Sequence, residues 1–224
     1  MYYDYTYLMY ALPVLLISII CQIWVSSSYR KNSKVSPGNG ITGKEAAEII
    51  RRKNDYPVDI VVQGPRLSDH FDPMRNVVVI SQESEKSSVA DIAVVAHEFG
   101  HVDQKFSGSL LFKFRNAIVP VVNIGSSLGI ILIFIGLLIN LAGLANLGLI
   151  LFSATTLFAF ITIPIERDAT KRGLKFIEEY DLVPKDKIGN AKSVLNAASM
   201  TYVAGLISSI ANLLYYSSLV RRDN

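Results

Sequence analysis

A single cysteine, Cys21, in 224 residues leaves no pair for an intramolecular disulfide, so burial and hydrogen bonding must hold the fold. Charge is scarce as well. Asp, Glu, Lys and Arg make up 18% of the chain against 50% hydrophobic residues, and at this length that balance excludes both a disordered chain and an ordinary aqueous domain. It points to a membrane protein. The shortage is uneven, because Asn116 to Ile165 holds no charged residue at all. About fifty such residues suffice for two membrane-crossing helices of roughly twenty residues each, and Asn140, Gly143 and Asn146 suit the turn between them. Tyr7 to Ser26 is another uncharged run of spanning length, and Ser193 to Val220 a fourth. In the fourth, Asn196, Ser199, Thr201, Ser208, Ser209 and Asn212 dilute the apolar character, so a buried helix or interfacial hairpin competes with a true span.

The basic residues assign sides. Met1 to Thr6 carries an aspartate and neither Lys nor Arg, whereas Arg30, Lys31 and Lys34 follow the first run. This reads as a retained anchor with its N-terminus outside, not a cleaved signal. Lys44, Arg51, Arg52, Lys53, Lys113 and Arg115 then fall in the cytoplasm, as do Arg167, Lys171, Arg172, Lys175, Lys185, Lys187 and Lys192 after two further crossings. Arg221 and Arg222 would lie outside, a mild exception. The basic residues follow the membrane boundaries without forming a patch, so the lipid bilayer is an expected partner and nucleic acid is not.

The expected organisation is an α+β membrane protein with about four transmembrane helices and a small cytoplasmic domain. It divides into an anchor (1–26), an aqueous domain (27–115), a helical hairpin (116–165), a second cytoplasmic segment (166–192) and a last hydrophobic helix with its tail (193–224). Within the aqueous domain, Ser33 to Gly40 is a polar linker. Thr42-Gly43-Lys44-Glu45 is a capping box opening a helix through Lys53, with Ala46, Ala47, Ile49 and Ile50 inward. Tyr56 to Gln63 and Asn76 to Ser81 read as strands, with Gly64-Pro65 closing the first and Asp72-Pro73 and Arg75-Asn76 turning into the second.

Histidine is rarer still than charge. Two of the three in the chain stand in His97-Glu98-Phe99-Gly100-His101, and H-E-x-x-H on a helix describes a zinc site with its own general base. Positions i and i+4 share a helix face, so His97 and His101 can turn both rings toward one ion, while Glu98 reaches a metal-bound water. Zinc brings the pKa of that water toward neutrality, and the carboxylate removes its proton as it attacks a peptide carbonyl. Ser88 with Asp91 resembles a capping box opening a helix at Val89, and Val89, Ile92, Ala93, Val95, Ala96 and Phe99 give it a broad apolar surface. Gly100 leaves room beside the metal. A catalytic zinc keeps three protein ligands and an open position, so the third ligand is His70 or a downstream carboxylate, with Glu166 the candidate. Tyr202 and His70 are the polar groups best placed by sequence to donate to the developing oxyanion. The helix, the strands and a sheet edge able to hold substrate as an added strand suit a peptidase.

The stretches Ser68-Asp69-His70-Phe71-Asp72-Pro73, Val95 to His101, Pro164-Ile165-Glu166-Arg167-Asp168-Ala169, Leu195-Asn196-Ala197-Ala198 and Thr201-Tyr202-Val203-Ala204 resemble, nearly end to end, the YugP-type neutral zinc metallopeptidases, small bacterial membrane proteins. The resemblance implies a gluzincin-like, zincin-type fold and a site with one zinc ion on His97, His101 and Glu166, and Glu98 as base. Related enzymes carry an aspartate four residues after the glutamate ligand, where this chain has Thr170. Asp168, two residues on, can support the ligands only if Pro164 distorts the helix. The expected activity is endopeptidase cleavage of membrane-associated protein or peptide substrates, in processing or quality control at the cell membrane. Two rivals remain. An intramembrane site-2-type protease needs its motif inside a span and an Asp ligand in another, and neither is present. A non-catalytic scaffold or sensor with a structural zinc would need a fourth protein ligand and would give Glu98 no reason to be Glu.

Overall fold

The computed structural model describes residues Thr6–Arg222 and is mostly helical, with one small sheet. The order is α1 (Thr6–Asn32), α2 (Gly43–Lys53), β1 (Asp59–Val62), β2 (His70–Asp72), β3 (Val77–Ile80), α3 (Val89–Phe106), α4 (Leu110–Leu138), α5 (Ala142–Glu179) and α6 (Ile188–Arg222). Four helical stretches among the described residues are long and apolar enough to cross a membrane: Tyr7–Asn32, Leu110–Leu138, Ala142–Glu179 and Lys185–Arg221. They overrun the uncharged runs of the sequence. Lys, Arg and Glu are good helix formers, so loss of apolarity does not end a helix, and Glu166 lies inside α5 instead of after it. Of the residues expected to turn the hairpin only Asn140 does so, with φ of 53°, a value that Asn tolerates better than most side chains. Gly143 and Asn146 already belong to α5.

The chain forms two compact units. One consists of the described residues up to Gln22, Phe114–Pro164 and those from Met200 on. There α4 and α5 approach through small residues, as membrane helices do where lipid removes the hydrophobic drive to associate. A Cβ added to Gly129 would stand 2.8 Å from the Gly148 carbonyl oxygen, and one on Gly148 2.6 Å from that of Gly129. Ile133, Ala145, Phe152 and Val220 are buried around this contact. Leu16, Ile20, Ile150 and Phe160 remain largely exposed, an outward apolar surface that suits lipid.

The other unit is Ile23–Lys113 with Ile165–Ser199. Its sheet has the order β1-β3-β2, with β3 parallel to β1 and antiparallel to β2. β2 was not foreseen, since His70-Phe71-Asp72 is too short to show alternation. Its register pairs Phe71 with Val78, and both are buried, as is Ile80, while His70 is exposed. One face of the sheet is therefore covered and the other is not. The Thr42 capping box closes as expected: Glu45 N donates to Thr42 Oγ1 at 3.1 Å and Thr42 N to Glu45 Oε2 at 2.8 Å. At Ser88 only half the device forms. Asp91 N donates to Ser88 Oγ, but the shorter Asp91 carboxylate accepts from the Ser88 and Tyr29 hydroxyls instead of reaching back to the chain. In α3, Val89, Ile92, Ala93, Val95, Ala96 and Phe99 are fully buried.

Candidate metal centre

The close approach of α3 and α5 builds the site. A Cβ on Gly100 would collide with the Ala169 carbonyl, and one on Gly173 would stand 2.8 Å from Ala96 O and 2.9 Å from His97 N. The space that Gly100 leaves is thus filled by the backbone of α5 and not by an ion, a correction to the sequence reading. With the two helices in backbone contact, Glu166 sets its carboxylate between the rings: Oε2 is 3.3 Å from Nε2 of His97 and 3.3 Å from Nε2 of His101. The rings stand nearly perpendicular, their centroids 4.9 Å apart. One donor atom from each of the three residues lies within 4.8 Å of the others.

These residues fit a metal ion. Glu166 is 3% exposed, and its buried Oε2 forms no hydrogen bond, an arrangement that costs on the order of 1–3 kcal/mol unless something positive satisfies it. Burial alone would depress the His101 imidazole, but the Glu166 carboxylate outweighs it and raises it, so this spot favours positive charge. Two imidazoles and a carboxylate form a donor set used by catalytic zinc.

The remaining ring nitrogens are engaged. His101 Nδ1 lies 2.9 Å from Gln104 Oε1, and His97 Nδ1 lies 3.3 Å from Thr170 Oγ1. Phe112 stacks on His101 with centroids 5.9 Å apart. Glu98, 9% exposed, accepts a hydrogen bond at Oε2 from the backbone N–H of Phe71, at 3.0 Å. Burial pushes the Glu98 carboxyl up, with the two imidazoles pulling against it. An edge strand therefore touches the carboxylate next to the three donors.

His70 and Asp168 do not join the three donors. His70 sits on the open face of the sheet, its Nδ1 2.8 Å from Ser68 O, in a shallow cavity of about 450 Å³ shared with Val61, Val77 and Val79. Tyr202 belongs to α6 in the first unit. Asp168 meets neither histidine. Its Oδ2 accepts from Gln104 Nε2 at 2.9 Å and from Arg172 Nε at 2.7 Å, and Arg172 continues to Asp103, which Tyr56 also holds. Gln104 and the Phe71 amide escaped the sequence reading, and Thr170 entered it only as a departure from the related enzymes, without its contact to His97. Spacing alone signals Gln104 and Thr170, since Gln104 follows His101 by three residues and Thr170 follows Glu166 by four, each one turn away.

A helix bearing two histidines one turn apart, a buried glutamate brought between them and four membrane-length helices define a class, and the sequence match agrees. Residues 7–221 match the family described as "Putative neutral zinc metallopeptidase", and the chain belongs to that family. It is 36% identical over 204 residues, 89% of this chain and 90% of the relative, to a Bacillus subtilis (strain 168) protein described as "Putative membrane protease YugP". No solved structure matches the chain.

Proposed function

We propose that the protein is an integral membrane zinc endopeptidase with its zincin-like site on the cytoplasmic side of a bacterial cell membrane. The carrying observation is the meeting of His97 Nε2, His101 Nε2 and Glu166 Oε2 within 4.8 Å, with Glu98 on the same helix. These three residues would hold one zinc ion. When bound, it supplies an acidified water and a Lewis acid for the scissile carbonyl. The rest falls to the chain. Phe71 N–H engages Oε2 of Glu98, which leaves Oε1 to take the proton of the attacking water and pass it to the leaving amine. Burial lifts the basicity of that carboxylate, as a general base requires. β2 is an edge strand, so an extended substrate can pair beside it, close to the base.

Location argues for the substrate class. The positive-inside count puts the site in the cytoplasm, on a chain anchored in the bilayer, where membrane-associated proteins and peptides are the neighbours. Processing or quality control of such proteins is the role we assign. The test is cleavage by the purified protein in vesicles, wild type beside Glu98→Gln, with the same unfolded segment offered membrane-anchored and free. Faster loss of the anchored form, abolished by the substitution, is the expected result. Equal rates would remove the membrane substrate class, and cleavage by the glutamine variant would remove the mechanism.

A further inference from the structure

We propose that Gln104 is a positioning residue for the metal: oriented by Asp168, it presets the His101 ring with its hydrogen on Nδ1 and its lone pair on Nε2, toward Glu166. The inference rests on the zinc reading of the triad. Gln104 is 1% exposed, so its amide must find its partners inside the protein. Its Nε2 donates to Ile165 O at 2.8 Å and to Asp168 Oδ2 at 2.9 Å. A backbone carbonyl only accepts, and Asp168 Oδ2 already accepts from Arg172 Nε at 2.7 Å, so it is an acceptor toward Gln104 too. Turning the amide over would press its oxygen against two acceptors, so its orientation is decided by chemistry.

The consequence reaches the ring. Oε1 of Gln104 faces His101 Nδ1 at 2.9 Å and has no hydrogen to give, so Nδ1 must carry it. The neutral ring then bears its lone pair on Nε2, 3.3 Å from Glu166 Oε2, an arrangement that suits a cation between the two and that Gln104 holds against the pull of the carboxylate for a hydrogen on Nε2. His97 lacks this control. Its Nδ1 meets the Thr170 hydroxyl, which can donate or accept and selects neither tautomer. One ligand is therefore preset and the other settles only when the ion arrives. This also gives Asp168 its place: pointing away from Glu166's face, it acts on His101 through a side chain of the opposing helix.

Ring tautomers are read directly by nitrogen-15 resonances of histidine-labelled, metal-free full-length protein in micelles, at a pH where the rings are neutral. Three histidines give three pairs of signals, and His70→Asn assigns one of them. Glu166 pulls equally on both Nε2 atoms, so the expected spectrum shows His101 with its hydrogen mainly on Nδ1 and His97 with less there. Gln104→Leu should scramble His101 and weaken zinc binding, measured by chelator competition, on the order of 10–100-fold. Asp168→Ala, which leaves Gln104 with one acceptor fewer, should do the same to a smaller extent and serves if the leucine variant does not fold. A wild-type His101 with its hydrogen on Nε2 overturns the proposal, as does a folded variant with unchanged tautomer and zinc affinity. A protein whose His101 is preset but which takes up no zinc sinks the zinc reading and leaves the preset ring standing.

Discussion

Replacing Gly173 with alanine tests how tightly the two ligand-bearing helices must meet. The new Cβ would stand 2.8 Å from Ala96 O and 2.9 Å from His97 N, whereas ordinary contact begins near 3.4 Å. Backbone atoms cannot swing aside, so α3 and α5 must part by about half an ångström. Two ligands ride on one helix and the third on the other, and metal–ligand distances tolerate only about 0.2 Å. The substitution should therefore cost about 1–3 kcal/mol of stability through overpacking and weaken zinc on the order of 10–100-fold. Thermal unfolding in micelles and chelator competition measure the two effects. Gly205→Ala is the control: nothing lies within 4 Å of a Cβ there, and in a helix interior alanine should stabilise by about 0.5–1 kcal/mol. If Gly173→Ala binds zinc and melts like the control, the contact does not set the site.

Other substitutions separate the roles. Glu166→Ala should abolish stoichiometric zinc in metal analysis of the purified protein, because two imidazoles alone do not complete the donor set. Glu98→Gln should retain zinc and lose cleavage by about 10²–10⁴-fold, the usual worth of a general base; full loss of zinc instead would make Glu98 a ligand. Dialysis against a chelator should abolish the proposed cleavage, and added zinc should restore it. Tyr56→Phe removes the hydrogen bond to Asp103 and should lower stability by about 0.5–1.5 kcal/mol without changing zinc content, checked by unfolding and metal analysis side by side.

The sequence showed what depends on composition and periodicity. Uncharged runs announced the four membrane-length helices, and Thr42 with Glu45 announced a capping box whose two hydrogen bonds both form. What escaped depends on tertiary approach. β2 is three residues of mixed polarity that become a strand only because β3 lies beside them. Gly100 looked like space for an ion, yet only α5 shows what fills it. Gln104 and Thr170 are polar residues one turn from candidate ligands, a spacing visible in the sequence, but nothing in one chain says which atoms they will face. Asp168 was judged by the helix face it presents relative to Glu166, whereas what it meets is Gln104 on α3.

Between His101 and Glu166 the chain makes its apolar hairpin, α4 and the first part of α5. A polypeptide leaving the ribosome thus displays the histidines and the base long before it can finish the site, because the missing carboxylate is synthesised only after the hairpin. On the proposed function, hydrolysis has to wait until the hairpin has been made.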